Sequence, residues 1–165
     1  MTHKFARGEG GLSAADLSHP LPAGFAAGAS ILTLDGKMPV ECLAPGDRII
    51  TRDCGMAILS GVSMVTQTCD MIAILPGTLG HTKPDGDTRL PAGQKVLLRD
   101  WRAQAMFGKP QALACAHKLV DGEFIRFDGR ETLRLIVLEF DTSHILYVDG
   151  MELACVPREL LENAA

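Results

Sequence analysis

The stretch "GFAAGASILTLDG", residues 24–36, decides how the rest of the chain is read. It opens on a glycine, passes through small residues, and carries a short apolar run into Asp35-Gly36. Asp-Gly supplies the positive φ angles that tight hairpin turns demand. The same dipeptide recurs at 85–86, 121–122, 128–129 and 149–150, and Pro45-Gly46-Asp47 adds another sharp turn. Between these turns lie apolar runs of strand length at 31–33, 48–52, 62–68, 71–75, 95–99, 123–127, 133–140 and 145–148. Turn signals this dense between short apolar runs predict an all-β fold. The run 133–140 is nearly all apolar, which predicts burial on both faces.

Helix is expected only as a turn or two at 112–120 and as a short amphipathic stretch at 157–163, where Pro157 suits a first helical turn. The segment 76–92 is rich in Gly and Pro and reads as the longest loop. Residues 1–21 read as a leader, residues 22–157 as one domain, and 158–165 as a tail. One weak internal echo, of a size that coincidence or two related halves would give, links "LTLDGKMPV" (32–40) and "LYVDGMELA" (146–154), which both run from a strand through Asp-Gly to Met.

A length of 165 residues suits a single core. No uncharged apolar run approaches the ~18 residues of a membrane-spanning helix. The formal charge of −4, with Lys and Arg scattered, argues against nucleic acid as a partner. Cys42, Cys54, Cys69, Cys115 and Cys155 are widely spaced, odd in number and free of any C-x-x-C pattern. Buried free thiols are the expected reading, so neither a metal nor another cofactor is anticipated. Cys115 and His117 form half a ligand set with no second half. The N-terminal segment lacks the apolar core of a cleaved secretory signal. The cytoplasm is the expected compartment, with export by an uncleaved signal left open.

In the stretch 24–53, Phe25, Gly28, Ile31, Thr33, Asp35, Gly36, Val40, Glu41, Leu43, Pro45, Gly46, Asp47, Thr51, Arg52 and Asp53 fall in ungapped register with one known pattern. Three later segments follow in order: "PGTLGHTKP" (76–84), "LPAGQKVLLRDWRAQAMFG" (90–108) and "LEFDTSHILYVDGMELAC" (138–155). Together they resemble the Hint (hedgehog/intein) family, in its bacterial stand-alone or C-terminal form. The resemblance implies a mostly β, horseshoe-like fold with pseudo-twofold symmetry. It also implies autoprocessing, in which a thiol or hydroxyl on the first residue attacks the preceding carbonyl. A side-chain nucleophile at that position is required, because the acyl shift closes a five-membered ring. A Thr-x-x-His element then polarises the amide and protonates the leaving nitrogen. A later His assists, and inteins end in His-Asn.

Carried over position by position, the resemblance implies that most of this machinery is missing. The nucleophile's position is Gly24. The opening Gly-Thr pair reads Gly28-Ala29. The Thr-x-x-His element reads Pro91-Ala92-Gly93-Gln94, and Gln94 cannot transfer a proton near neutrality. The closing His-Asn position reads Ala154-Cys155. Only the later His survives, as His144, with Asp141 three residues before it. Losing nucleophile and acid together typically costs several powers of ten in rate.

The expected function is therefore a Hint domain that has lost self-cleavage and splicing and whose cleft takes a peptide or protein segment. The alternative is cleavage by non-standard residues, with Cys155, His144 and Asp141 as a thiol–imidazole–carboxylate set. A lone His at a strand start is more often structural, and a thiol with no evident base is usually inert. Ser30 and Cys42 are weaker candidates. A structural cap that uses exposed sheet edges is a third reading. Trp101, the only tryptophan, is expected in a hairpin, packed on the sheet.

Overall fold

The computed structural model describes residues 24–80 and 83–155. The turn punctuation lands where the backbone needs it. β2 (Ser30–Thr33) and β3 (Gly36–Pro39) form a hairpin across residues 34–35. β11 (His144–Val148) and β12 (Met151–Cys155) form another across Asp149-Gly150. Asp149 and Gly150 have φ of 52° and 83°. Positive φ at both central residues is what a type I′ turn requires. These are the two echoing segments, and they meet: Val148 pairs with Ile31, and the Asp149 amide donates to the Ser30 carbonyl.

The remaining strands are β1 (Phe25–Ala26), β4 (Arg48–Thr51), β5 (Gly55–Ile58), β6 (Gly61–Ile74), β7 (Thr88–Pro91), β8 (Lys95–Leu98), β9 (Ala112–Cys115) and β10 (Ile125–Glu139). They build a four-stranded sheet in the order β1-β10-β6-β7. A second sheet runs β3-β2-β4-β11-β12-β8-β9, with β5 on β4. The fold is all-β, as the turn density predicts. Its core is made of residues such as Ile31, Ile49, Ile125, Leu146 and Leu153, which lose essentially all contact with solvent. Each such side chain stabilises the fold by about 1.5–3 kcal/mol relative to exposure. Leu135, Ile136, Val137 and Leu138 are all buried, so β10 is covered on both faces there.

Several expectations need correction. The runs 62–68 and 71–75 belong to one strand, as do 123–127 and 133–140, because β6 and β10 pair as one long ribbon. Asp128-Gly129 is not a hairpin turn there; the register shift between Phe127 and Arg130 absorbs it as a bulge. The loop 76–92 gives up its last residues to β7, which pairs with β6. The stretch 112–120 is a strand followed by a single 3-10 turn over Ala116–Leu119, not a helical segment.

The described helix, α1 (Trp101–Phe107), lies where a hairpin is expected. Asp100 caps its N-terminus by accepting from the Arg102 amide, and Gly108 ends it in the left-handed region. Its buried face carries Arg102 and Ala103, so Trp101 points outward, 69% exposed, beside the Arg102 guanidinium. Packing on the sheet is thus overturned for Trp101. Among the described residues no helix is long and apolar enough to cross a membrane. The leader, the tail and the amphipathic stretch 157–163 lie outside the described residues.

Candidate functional site

A cleft of about 390 Å³ opens between residues 24–29 and 85–91, with Gln94, Val148 and Asp149 completing its wall. That volume is within the range of small-ligand sites. β1 and β7 are the two edges of the four-stranded sheet, and both line the cleft. Asp85, Asp87 and Asp149 line it beside one guanidinium, Arg89, and Asp85 is paired with Lys37 at 3.2 Å. Arg89 is itself engaged by Asp128 and Glu131. Burial pushes the Asp149 carboxyl above its ordinary value, although it accepts from the Ser30 amide.

Gly24 stands at the mouth of this cleft and against the backbone of β10. A Cβ on Gly24 would lie 2.2 Å from the Ile136 carbonyl oxygen and 2.6 Å from its carbon. Position 24 is therefore both without a side chain and without room for one. Ala29, next in the pattern, has no hydroxyl to offer; its amide donates to Ala26 and its carbonyl accepts from Val40.

Gln94 is buried, with 3% of its surface exposed. Its Nε2 donates to the Lys95 carbonyl at 3.1 Å and to the Ala154 carbonyl at 2.9 Å. An amide nitrogen has two hydrogens, so both are engaged by backbone. Gln94 thus fastens β8 to β12 and has no donor left for a peptide in the cleft. The same contact brings together two positions of the pattern that are 60 residues apart, Gln94 and Ala154.

The three residues of the thiol–imidazole–carboxylate set are not assembled. Cys155 and His144 are register partners across β11 and β12. Yet the Cys155 thiol is buried, donates to the Leu138 carbonyl, and is pushed up to about 12 by burial. It is a neutral thiol near neutral pH. Asp141 is exposed, and it is not the carboxylate on His144. That carboxylate is Asp53: its Oδ2 lies 2.8 Å from His144 Nδ1, and its Oδ1 accepts from the Ile145 amide at 2.8 Å. Burial works to raise the Asp53 carboxyl, but the Ile145 and His144 hydrogen bonds outweigh it and its pKa falls below the ordinary value.

Cys54 follows in the same turn, its Sγ 3.7 Å from His144 Nδ1 and 3.3 Å from Thr51 Oγ1. None of Asp53, Cys54 and His144 lines the cleft. Sequence reasoning passed over Asp53 and Cys54 as partners because about 90 residues separate them from His144. The available signal was an acid and a thiol in the tight turn Thr51-Arg52-Asp53-Cys54-Gly55. Ser30 sits in β2 with its amide on Asp149; Cys42 is exposed. Cys115 is buried at the end of β9, beside the 3-10 turn that carries His117.

This strand order, with both edges of one sheet meeting at a cleft, defines an all-β domain of intein-like architecture. The bacterial intein-like domain from Clostridium thermocellum is similar at a TM-score of 0.51 and 13% identity, over 82% of this chain and 99% of that one. An altered form of the MchDnaB-1 intein is similar at a TM-score of 0.50 and 11% identity, over 81% and 99%. The Hint domain family model matches residues 23–155, and the chain belongs to that family. Its fold is that of an autoprocessing-type domain. No curated protein matches the chain by sequence.

Proposed function

We propose that this Hint domain has lost cleavage at the bond preceding residue 24 and keeps its cleft as a binding site for an extended peptide segment. The observation that carries the reading is Gln94. At the position where the family places its proton donor sits an amide whose two hydrogens both hold backbone carbonyls. Gly24 supplies no nucleophile, and Cys155 is too buried to replace one. Without an attacking atom and a proton for the leaving nitrogen, the acyl shift has neither of its two essential parts.

The cleft itself is compatible with an added strand. The edges of β1 and β7 offer backbone hydrogen bonds, and the carboxylates Asp85, Asp87 and Asp149 favour a neutral or basic segment over an acidic one. The test has two arms. The intact chain incubated with dithiothreitol or hydroxylamine is expected to stay at 17.7 kDa; a fragment beginning at Gly24 would refute the loss of cleavage. Extended basic and acidic peptides titrated against labelled protein are expected to differ, with the basic one shifting the amide resonances of residues 25–29 and 88–90. If neither peptide moves those signals, the binding role is wrong.

A further inference from the structure

We propose that Asp53, Cys54 and His144 form a site for a thiophilic divalent transition ion of the Zn²⁺ type, separate from the cleft. The proposal does not depend on whether cleavage has been lost. The turn between β4 and β5 supplies a carboxylate and a thiol, and the start of β11 supplies an imidazole. One ligand atom from each lies within 4.8 Å of the other two. Cys54 Sγ and His144 Nδ1 are 3.7 Å apart. A tetrahedral ion with sulfur at ~2.3 Å and nitrogen at ~2.0 Å sets that pair roughly 3.5 Å apart. The carboxylate–imidazole distance of 2.8 Å is a hydrogen bond, and it need open by only about half an ångström to admit an ion between the two atoms.

The way the groups meet favours coordination over a catalytic relay. In a nucleophile–base–orienter chain, thiol and carboxylate take opposite nitrogens of the imidazole. Here both address Nδ1. The other nitrogen, Nε2, faces Thr142 Oγ1 at 3.5 Å. In the metal-free protein Nδ1 gives its proton to Asp53 Oδ2. When an ion binds, the ring proton moves to Nε2, facing the Thr142 hydroxyl, and the Nδ1 lone pair turns to the point where thiol and carboxylate converge.

Each ligand is also held from behind. Asp53 has its second oxygen on the Ile145 amide, the Cys54 amide donates to Thr51 Oγ1, and the His144 ring stands edge-on to Phe140 at 5.3 Å. Such supporting contacts are what orient metal ligands and fix the imidazole tautomer. A sulfur, nitrogen and oxygen set selects Zn²⁺ or Co²⁺ over Mg²⁺ or Ca²⁺. Cys54 is exposed, so the fourth position faces solvent and takes water or an incoming donor. On binding, the thiol proton passes to solvent.

The test uses the full reduced chain, stripped of metal and titrated with Co²⁺. One equivalent is expected to give the strong visible bands of a tetrahedral ion and a thiolate-to-cobalt charge-transfer band, both erased by Zn²⁺. Cys54→Ser should remove the charge-transfer band, and His144→Gln should weaken binding at least about tenfold. Cys42→Ser, at the other exposed thiol, should change neither. Only the weak spectrum of an octahedral ion, a thiolate band that survives Cys54→Ser, or equal loss in Cys42→Ser would overturn the site. A second measurement needs no variant: Zn²⁺ should slow alkylation of Cys54 but not of Cys42, and protection of both or neither counts against the proposal.

Discussion

β11 is five residues long and joins two regions of opposite character. At its C-terminal end, Val148 and Asp149 wall a cleft in which the groups that could do chemistry are absent or already committed. At its N-terminal end, about 13 Å away along the strand, His144 holds its imidazole toward a carboxylate and an exposed thiol. Both regions carry polar side chains. The difference lies in where the hydrogen bonds go. Gln94 gives both of its amide hydrogens to backbone carbonyls, whereas the exposed residues Asp53 and Cys54 both turn to one nitrogen of His144. A polar side chain is available for function only to the extent that the fold has not already satisfied it.

The sharpest way to break this contrast is to refill the cleft. Gly24→Cys combined with Gln94→His installs the residue types that the resemblance implies for those positions, but the new Cβ must displace the Ile136 carbonyl. The double variant is expected to lose about 3 kcal/mol in chemical denaturation, the upper end of what overpacking costs, and to remain uncleaved by mass. Cleavage at parental stability would show that position 24 accepts a nucleophile after all.

Glu152→Gln comes next. Its carboxylate is 1% exposed and meets Arg99, Lys83 and Arg52. Breaking a fully buried pair costs ~3–5 kcal/mol, but the cations are themselves 26% (Lys83) and 37% (Arg52 and Arg99) exposed, so about 2 kcal/mol is expected. Burial works against the Glu152 charge, yet the Arg99 and Lys83 hydrogen bonds outweigh it, and its folded pKa is lowered. A lowered carboxylate pKa contributes stability that is fully present above the ordinary glutamate value and lost as pH falls through the folded one. Thermal melts taken from pH 7 downward should show that loss in the parent and a flatter profile in Glu152→Gln.

Gln94→Leu should cost about 1.5 kcal/mol by stranding the Lys95 and Ala154 carbonyls, read as a shift in denaturation midpoint. The smallest effect belongs to the open end. Asp53→Asn keeps an acceptor for the Ile145 amide and removes a charge that is a third exposed, so it should change stability by under about 1 kcal/mol. A large loss there would mean that the turn is structural in the way Gln94 is.

The fold was legible because its turns are written in residues with one conformational use. Asp149-Gly150 reads directly as a type I′ hairpin, and Leu135–Leu138 reads as a doubly buried strand segment. Asp128-Gly129 uses the same dipeptide for a bulge, which only the pairing of β6 with β10 distinguishes from a turn. α1 was missed although Asp100 and Gly108 cap it in a recognisable way, because the hairpin expected after β8 left no place for a helix. At the site, the resemblance implies roles for positions 24 and 94 by their place in the pattern. It contains nothing about the Ile136 carbonyl behind Gly24, since close approach is a property of two strands and not of one residue. Asp53 lay within the matched pattern as a turn residue; its imidazole partner about 90 positions away emerges only when β4 and β11 lie side by side.

Glu152 touches both halves of the comparison. Through Lys83 it anchors the segment leading to the 85–91 wall of the cleft, and through Arg52 it anchors the turn that presents Asp53 and Cys54. One proton taken up by that carboxylate slackens both anchors together. The two regions therefore share one support: acid loosens the wall of the cleft and the mount of the turn together.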